Sequence, residues 1–247
     1  MSGSLQTFCI AVSAVAIGLT AACTHMTTAP DAAADPSALT SPDWASSWHH
    51  RHLPGKKPTD YTLSQVDGRV AMKARSNGSA SLLRQQVHVE SQQLDHIRFS
   101  WKVPELIAQA DLAIRDLSDS PVRIVLAFDG DRSKLSMKNS LLSQMAHSLT
   151  GEPMPYATLM YVWSNTLAPG SIVASHRTDR IRKIVVESGA QHLNQWMAYE
   201  RNISADFERA FGEPPGTLVG IAIMTDTDNT HSSTQAWYGP VRLIRRH

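Results

Sequence analysis

The sequence predicts an all-β fold, a β-sandwich carrying two or three short decorating helices. Eight or more short apolar runs of strand length recur between turn signals, the helix-like stretches are few and brief, and neither βαβ alternation nor a repeat of fixed period is present. With 247 residues, 42% hydrophobic and 18% charged, the chain is long enough to bury one large core. Its 23 basic and 22 acidic side chains give a formal charge of +1, so no global field selects nucleic acid, an acidic polymer or a membrane surface. No nucleic-acid-binding module is found along it.

The chain opens with a short apolar core, residues 8–19 (FCIAVSAVAIGL), which has the length of a signal-peptide core and is too short to span a bilayer. The residues that follow, Leu19, Thr20, Ala21, Ala22 and Cys23, resemble the lipobox of bacterial lipoproteins, although residues 1–7 lack the usual Lys or Arg. The resemblance implies that residues 1–22 are removed and that Cys23 is lipidated, anchoring the mature chain in a membrane. Thr24 after Cys23 resembles lipoproteins sent on to the outer membrane, where the chain would face the periplasm. Cys9 lies in the segment to be removed, so no cysteine is left for an intramolecular disulfide.

Residues 23–58 read as a lipidated N-terminus and flexible tether, rich in Ala, Thr, Ser, Asp and Pro as far as about Trp44. The run Trp48, His49, His50, Arg51, His52 has metal-binding composition but no nearby Cys, Asp or Glu, and reads as a solvated junction. The folded domain is expected over residues 59–247. Its first part is punctuated by Asp67-Gly68 and Asn77-Gly78, both hairpin signals. In residues 94–103, Ile97, Phe99, Trp101 and Val103 share one face at period two, with Arg98, Ser100 and Lys102 on the other. Residues 104–111 suit a short helix and residues 122–129 a strand.

A helix is expected over residues 133–150, capped by Ser133 or Asp131, with Leu135, Leu141, Leu142, Met145 and Leu149 largely on one face covering the sheet. Residues 157–163, 171–174 and 181–186 follow as strands, and 202–211 as a helix that Ser204 can cap and Gly212 can stop. Residues 218–243 then read as two strands joined by an acidic loop.

That last stretch holds the densest group of potential ligands. Asp226 and Asp228 stand at i, i+2, so both carboxylates share a face of an extended segment, with Asn229 beside them and Trp237 and Tyr238 on the next strand. Hard oxygen donors in this arrangement suit a sugar hydroxyl pair or a calcium ion, and they equally suit a turn held by Asx hydrogen bonds. Trp101, Trp163, Trp196, Trp237 and Tyr238 offer flat faces for sugar stacking. Trp101 and Trp163 also read as core by parity with Phe99 and Tyr161, whereas the adjacent Trp237 and Tyr238 face opposite sides of their strand. The basic run Arg177, Arg180, Arg182 and Lys183 can meet a carboxylate or phosphate, or simply pair with Asp179 and Glu187.

The segments FSWKVP (99–104), LMYVWSN (159–165), RTDRIRKIVVESG (177–189), TDTDNT (225–230) and AWYG (236–239) resemble those of a bacterial family catalogued as a domain of unknown function, number 3047. The resemblance covers roughly residues 59–243. It implies a common fold and, because the family carries no established activity, no catalytic residue. A looser likeness joins the strand order to the jelly-roll of galactose-binding-like and carbohydrate-binding modules, as an analogy of fold.

No G-x-S-x-G elbow, Walker loop, H-E-x-x-H motif or free cysteine is present, so no nucleophile is read from the chain. The expected function is a non-catalytic, carbohydrate-binding module of the envelope with a site at Asp226, Asp228, Asn229, Trp237 and Tyr238 and with Arg180 and Arg182 as neighbours. Its partner is expected to be an envelope polysaccharide or another periplasmic component. The alternatives are an acid/base hydrolase of an envelope glycan, which needs two carboxylates flanking a bond, and a periplasmic protein-interaction module.

Overall fold

The computed structural model describes residues 46–246. The expected signal peptide, Cys23 and most of the expected tether lie outside the described residues. Among the described residues, thirteen strands form two sheets. The first has the order β1 (His49–His52), β4 (Ser81–Val89), β11 (Leu218–Asp226), β6 (Ser120–Phe128), β7 (Ala157–Ser164), β9 (Ile181–Ser188), β8 (Ile172–Ala174). The second has the order β10 (Trp196–Asn202), β5 (Leu94–Lys102), β12 (Ser233–Tyr238), β3 (Arg69–Asn77), β2 (Asp60–Val66), with β13 (Arg242–Arg245) also paired to β5. Pairing is antiparallel except between β7 and β9. Successive strands cross from sheet to sheet along β4–β5–β6 and again along β9–β10–β11–β12, which gives the sandwich its jelly-roll character. The predicted all-β class is therefore the observed one.

Alternation builds the core. Ile97, Phe99 and Trp101 of β5 are buried between the sheets while Arg98 is exposed on the far side. Facing them, Ile124, Leu126 and Phe128 of β6 and Leu159, Tyr161 and Trp163 of β7 complete one apolar layer. Phe99 stacks on Tyr161 with ring centroids 5.5 Å apart. Trp163, at the top of β7, donates its indole N–H to Gly189 O at 3.0 Å. One hairpin signal acts as read: Asp67 and Gly68 both take positive φ, at 50° and 72°, and join the paired strands β2 and β3. The other does not make a hairpin: Gly78 takes positive φ, at 55°, but the turn carries the chain from β3 in the second sheet to β4 in the first.

Several elements depart from the sequence reading. Residues 104–111 form no helix. Ala110 N closes a tight turn on Ile107 O, which also accepts from Asn165 Nδ2, Asp111 N donates to Leu117 O, and Ile107 and Leu112 are buried along an irregular path. The first helix, α1, spans Met137–Thr150 and is capped by Ser136, whose Oγ accepts from Asn139 N. Asp131 caps the short 3₁₀ turn before it. The apolar residues of α1 do not cover the sheet: Met137 is 89% exposed and Leu149 69%, with Leu141 and Met145 also open. The helix docks by its polar side, where buried Asn139 donates to Asp179 and accepts from Thr178. The second helix, α2 (Ile203–Phe211), is capped by Asn202 rather than Ser204 and stops at Gly212 in the left-handed region.

At the N-terminal edge, β1 begins ten residues before Thr59. The His-rich run thus forms an edge strand on β4, with Trp48 buried beside it. Finally, β11 and β12 are not partners. They belong to different sheets, and residues 227–232 carry the chain between them.

Candidate functional site

The acidic loop draws its side chains inward. Asp226 lies at the end of β11, where the register slips between Met224 and Asp226 and sets its carboxylate against Ser120 and Arg123 of β6. Arg123 Nε and Nη2 donate to Asp226 Oδ1 and Oδ2 at 2.7 and 2.8 Å, a bidentate pair in which both side chains are almost fully buried. Arg123 Nη2 also donates to Ser118 O at 2.7 Å. Asp119 accepts from Thr230 N and Thr230 Oγ1, both at 2.7 Å, and from Asn229 N at 3.3 Å, so it closes the 227–232 loop. Asp228 is paired with Lys56 at 2.5 Å, and Lys183 donates to Ser118 Oγ.

Three carboxylates, Asp119, Asp226 and Asp228, bring oxygens within 4.8 Å of one another. A calcium ion takes six to eight oxygens, and here both oxygens of Asp226 are held by Arg123 while Lys56 and Lys183 bring further positive charge to the group. The donor set as folded does not fit that ion. It ties the 103–119 loop, the 227–232 loop and the residues before β2 to one end of the first sheet. Nor does the pair flank an open cleft as an acid and a base would. Two surface hollows, of about 370 and 240 Å³, lie elsewhere, between β1 and the end of α1 and beside α1 itself.

Electrostatics follow the burial. Desolvation raises the Asp226 carboxyl above its ordinary value, against the pull of Arg123. Desolvation, and then the charge of Arg123, lower Lys183 from 10.5 to about 7, with Asp226 and Asp119 opposing. An unfolded lysine keeps its proton to near 10.5, so the unfolded chain binds more protons than the folded one above about pH 7, and stability rises with pH in that window. The rise ends where tyrosines of the unfolded chain ionise, near 10.0. In a Lys183→Met variant the urea midpoint is expected to be flatter between about pH 7 and about pH 9 than in the parent. Parallel curves for the two proteins would show that the Lys183 ammonium is not desolvated by folding.

Tyr238 is fully buried. Its hydroxyl donates to Met224 O at 2.6 Å, accepts from Arg123 N at 3.2 Å and contacts Thr225 Oγ1 at 2.9 Å. The expected stacking role for Tyr238 is therefore corrected: no face of the ring is open to a sugar. Arg180 and Arg182 are corrected as neighbours too. They stand at the start of β9, which pairs with Thr158 and Leu159, whereas the acidic loop lies at the other end of β7. Arg180 binds Glu213 Oε1 at 2.6 Å and covers the Tyr156 ring, and Arg182 Nε donates to Ala210 O. Trp101 and Trp163 are core, as parity predicts.

Trp237 is different. Adjacent to Tyr238 but of opposite parity, it is half-buried on the outer face of the second sheet. The register places Thr62, Lys73, Trp237, Lys102 and Trp196 directly opposite one another across five strands. Trp196 is half-buried as well, and its ring lies across Gly239, within 3.7 Å of where a Cβ there would stand. Two strand spacings put the tryptophans ~10 Å apart with Lys102 between them. Lys73 lies over the Trp237 ring and Arg69 over the Trp196 ring, each 5.5 Å from the centroid. In the sequence Trp196 is only one of five candidate stacking aromatics. The polar, interrupted pattern of WMAYERN (196–202) does not announce the strand that gives it a face.

These features define a two-sheet, jelly-roll-like β-sandwich with one aromatic and basic open face. The chain belongs to the family described as "Protein of unknown function (DUF3047)", which matches residues 46–242. No curated protein matches it. Among solved structures it is similar to the xyloglucanase domain of NopAA, a type three effector from Sinorhizobium fredii, in complex with cellobiose. That match has 9% identity and a TM-score of 0.43, covering 81% of this chain and 93% of that one. It is also similar to a non-crystalline cellulose specific carbohydrate-binding module, CBM28, with 12% identity and a TM-score of 0.35 over 80% and 88% of the two chains. A family 12 xyloglucanase from Bacillus licheniformis matches at 9% identity and a TM-score of 0.40, over 78% and 99%. At these scores the likenesses carry no argument about ligand or activity, and the fold class stands on the strands themselves.

Proposed function

We propose that this chain is a non-catalytic carbohydrate-binding module of the bacterial envelope whose platform is the outer face of the second sheet. One observation carries the reading: Trp196 and Trp237 are partly exposed on the same face, in register and two strands apart, with Lys102 between them in the register. An exposed indole on a rigid sheet stacks against the C–H face of a sugar ring, and the polar groups around it take the hydroxyls. Gln235, Ser100 and Thr62 line the same face at alternate positions. The ligand is an envelope polysaccharide. The test is retention of the purified protein on immobilised envelope glycans, compared with Trp196→Ala and Trp237→Ala variants of unchanged thermal stability. Loss of retention in both supports the reading, and equal retention in all three proteins contradicts it.

The same proposal places the domain on a lipid anchor at Cys23, in the outer membrane and facing the periplasm. It is supported by residues 8–19 and by the lipobox-like residues Leu19 to Cys23. A Cys23→Ser protein is expected to leave the membrane fraction. Membrane-bound protein carrying an unmodified Cys23, read by mass spectrometry, would end this part of the proposal.

A further inference from the structure

The charges on the outer face of the second sheet are not evenly matched. Lys102 donates to Asp67 Oδ2 at 2.6 Å, and Arg98 holds Glu200 through two hydrogen bonds of 3.0 and 3.2 Å, so these two cations are neutralised locally. Arg69, Lys73 and Arg75 form no such pair, although, after the hydrogen bond from Lys102, the charge of Arg69 helps to hold the Asp67 carboxyl below its ordinary value. They share the parity of one face of β3, with Ala71 between Arg69 and Lys73, and none of them has a carboxylate at ion-pair distance among the described residues. Asp60 stands opposite Arg75 in the register without pairing to it. Two of the three lie over the rings that the glycan reading uses, Arg69 over Trp196 and Lys73 over Trp237. A sugar stacked on either indole is therefore within reach of a guanidinium or an ammonium that makes no ion pair among the described residues.

We infer that the glycan bound by this face is anionic, a polysaccharide whose sugar rings carry carboxylates. This rests on the carbohydrate-binding reading above and deepens it. Each tryptophan takes the apolar face of a ring. Arg69 and Arg75 present planar forks that match a carboxylate in two parallel hydrogen bonds, and Lys73 supplies a point charge between them. A neutral glycan would leave three cations without an ion-pair partner. A polyanion without rings would satisfy the cations and leave the indoles unused. The combination fits a uronate polymer better than either.

The experiment uses the purified full-length mature chain and measures affinity for polygalacturonate, for the same polymer with its carboxylates reduced to hydroxymethyl groups, and for polyglutamate and single-stranded oligothymidylate as polyanions of other classes. Polygalacturonate is expected to bind at least tenfold more tightly than the other three and to weaken as salt is raised. Trp237→Ala should lower that affinity. An Arg69→Gln, Lys73→Gln, Arg75→Gln triple variant should bind polygalacturonate and its reduced form alike. Equal binding of the two polymers by the parent, lost in Trp237→Ala, would overturn the anionic assignment and leave the glycan reading standing. Polyglutamate or oligothymidylate binding as tightly as polygalacturonate would also overturn it. Binding of neither polysaccharide would remove both proposals.

Discussion

Replacing Arg123 by Met is expected to destabilise the domain by about 3–5 kcal/mol, the cost of breaking a buried ion pair from one side. Asp226 then keeps only the Ser120 amide as a hydrogen-bond donor to its buried carboxylate. The loss also reaches the 103–119 loop, because Arg123 Nη2 holds Ser118 O as well as Asp226. Two further measurements identify the cause. The deficit should shrink as pH falls, since burial already holds the Asp226 carboxyl above its ordinary value and a protonated carboxyl costs less to bury. The double variant Arg123→Met, Asp226→Leu should recover much of the stability, because replacing both partners by apolar side chains removes the unpaired charge. A single variant within about 0.5 kcal/mol of the parent in urea unfolding would mean that the pair is not buried as described.

The second large effect is on binding. Truncating an aromatic anchor at the centre of a binding face commonly costs about 2 kcal/mol, or ~30-fold in affinity. Trp196→Ala and Trp237→Ala are each expected to weaken glycan binding by about that factor, and the double variant to abolish measurable retention. Stability should fall less than for a core tryptophan, because both rings lie on the outer face of the sheet and are only partly buried, while the core below them is formed by Trp101 and its neighbours. Trp101→Ala sets the contrast. It empties a fully buried site, where an aromatic truncation costs about 3–5 kcal/mol, and any loss of binding there should track unfolding.

The sequence made the sandwich legible because strand alternation is local. Ile97, Phe99 and Trp101 declare a buried face within a few residues, and Asp67-Gly68 declares a turn within two. Helix α1 shows where that logic stops. Its leucines and methionines lie at helical spacing, yet the face that docks is chosen by Asn139 meeting Thr178 and Asp179 some 40 residues on. The acidic loop fails for the same reason. Asp226 reads as a ligand when seen beside Asp228, but Arg123, which takes both of its oxygens, comes 103 residues earlier. Trp237 is legible because it alternates with Tyr238. Its counterpart Trp196, and the row Arg69, Lys73, Arg75 beside them, became a face only when β10, β5, β12 and β3 were paired in register.

The central claim is that a glycan lies on Trp196 and Trp237, and the most direct measurement is the response of the indole N–H resonances to a titrated uronate oligosaccharide. The Trp196 and Trp237 signals are expected to shift together and saturate at one affinity, while those of buried Trp101 and Trp163 stay in place. Saturable shifts confined to residues of the 227–232 loop, with Trp196 and Trp237 unmoved, would contradict the account and return the site to the acidic turn.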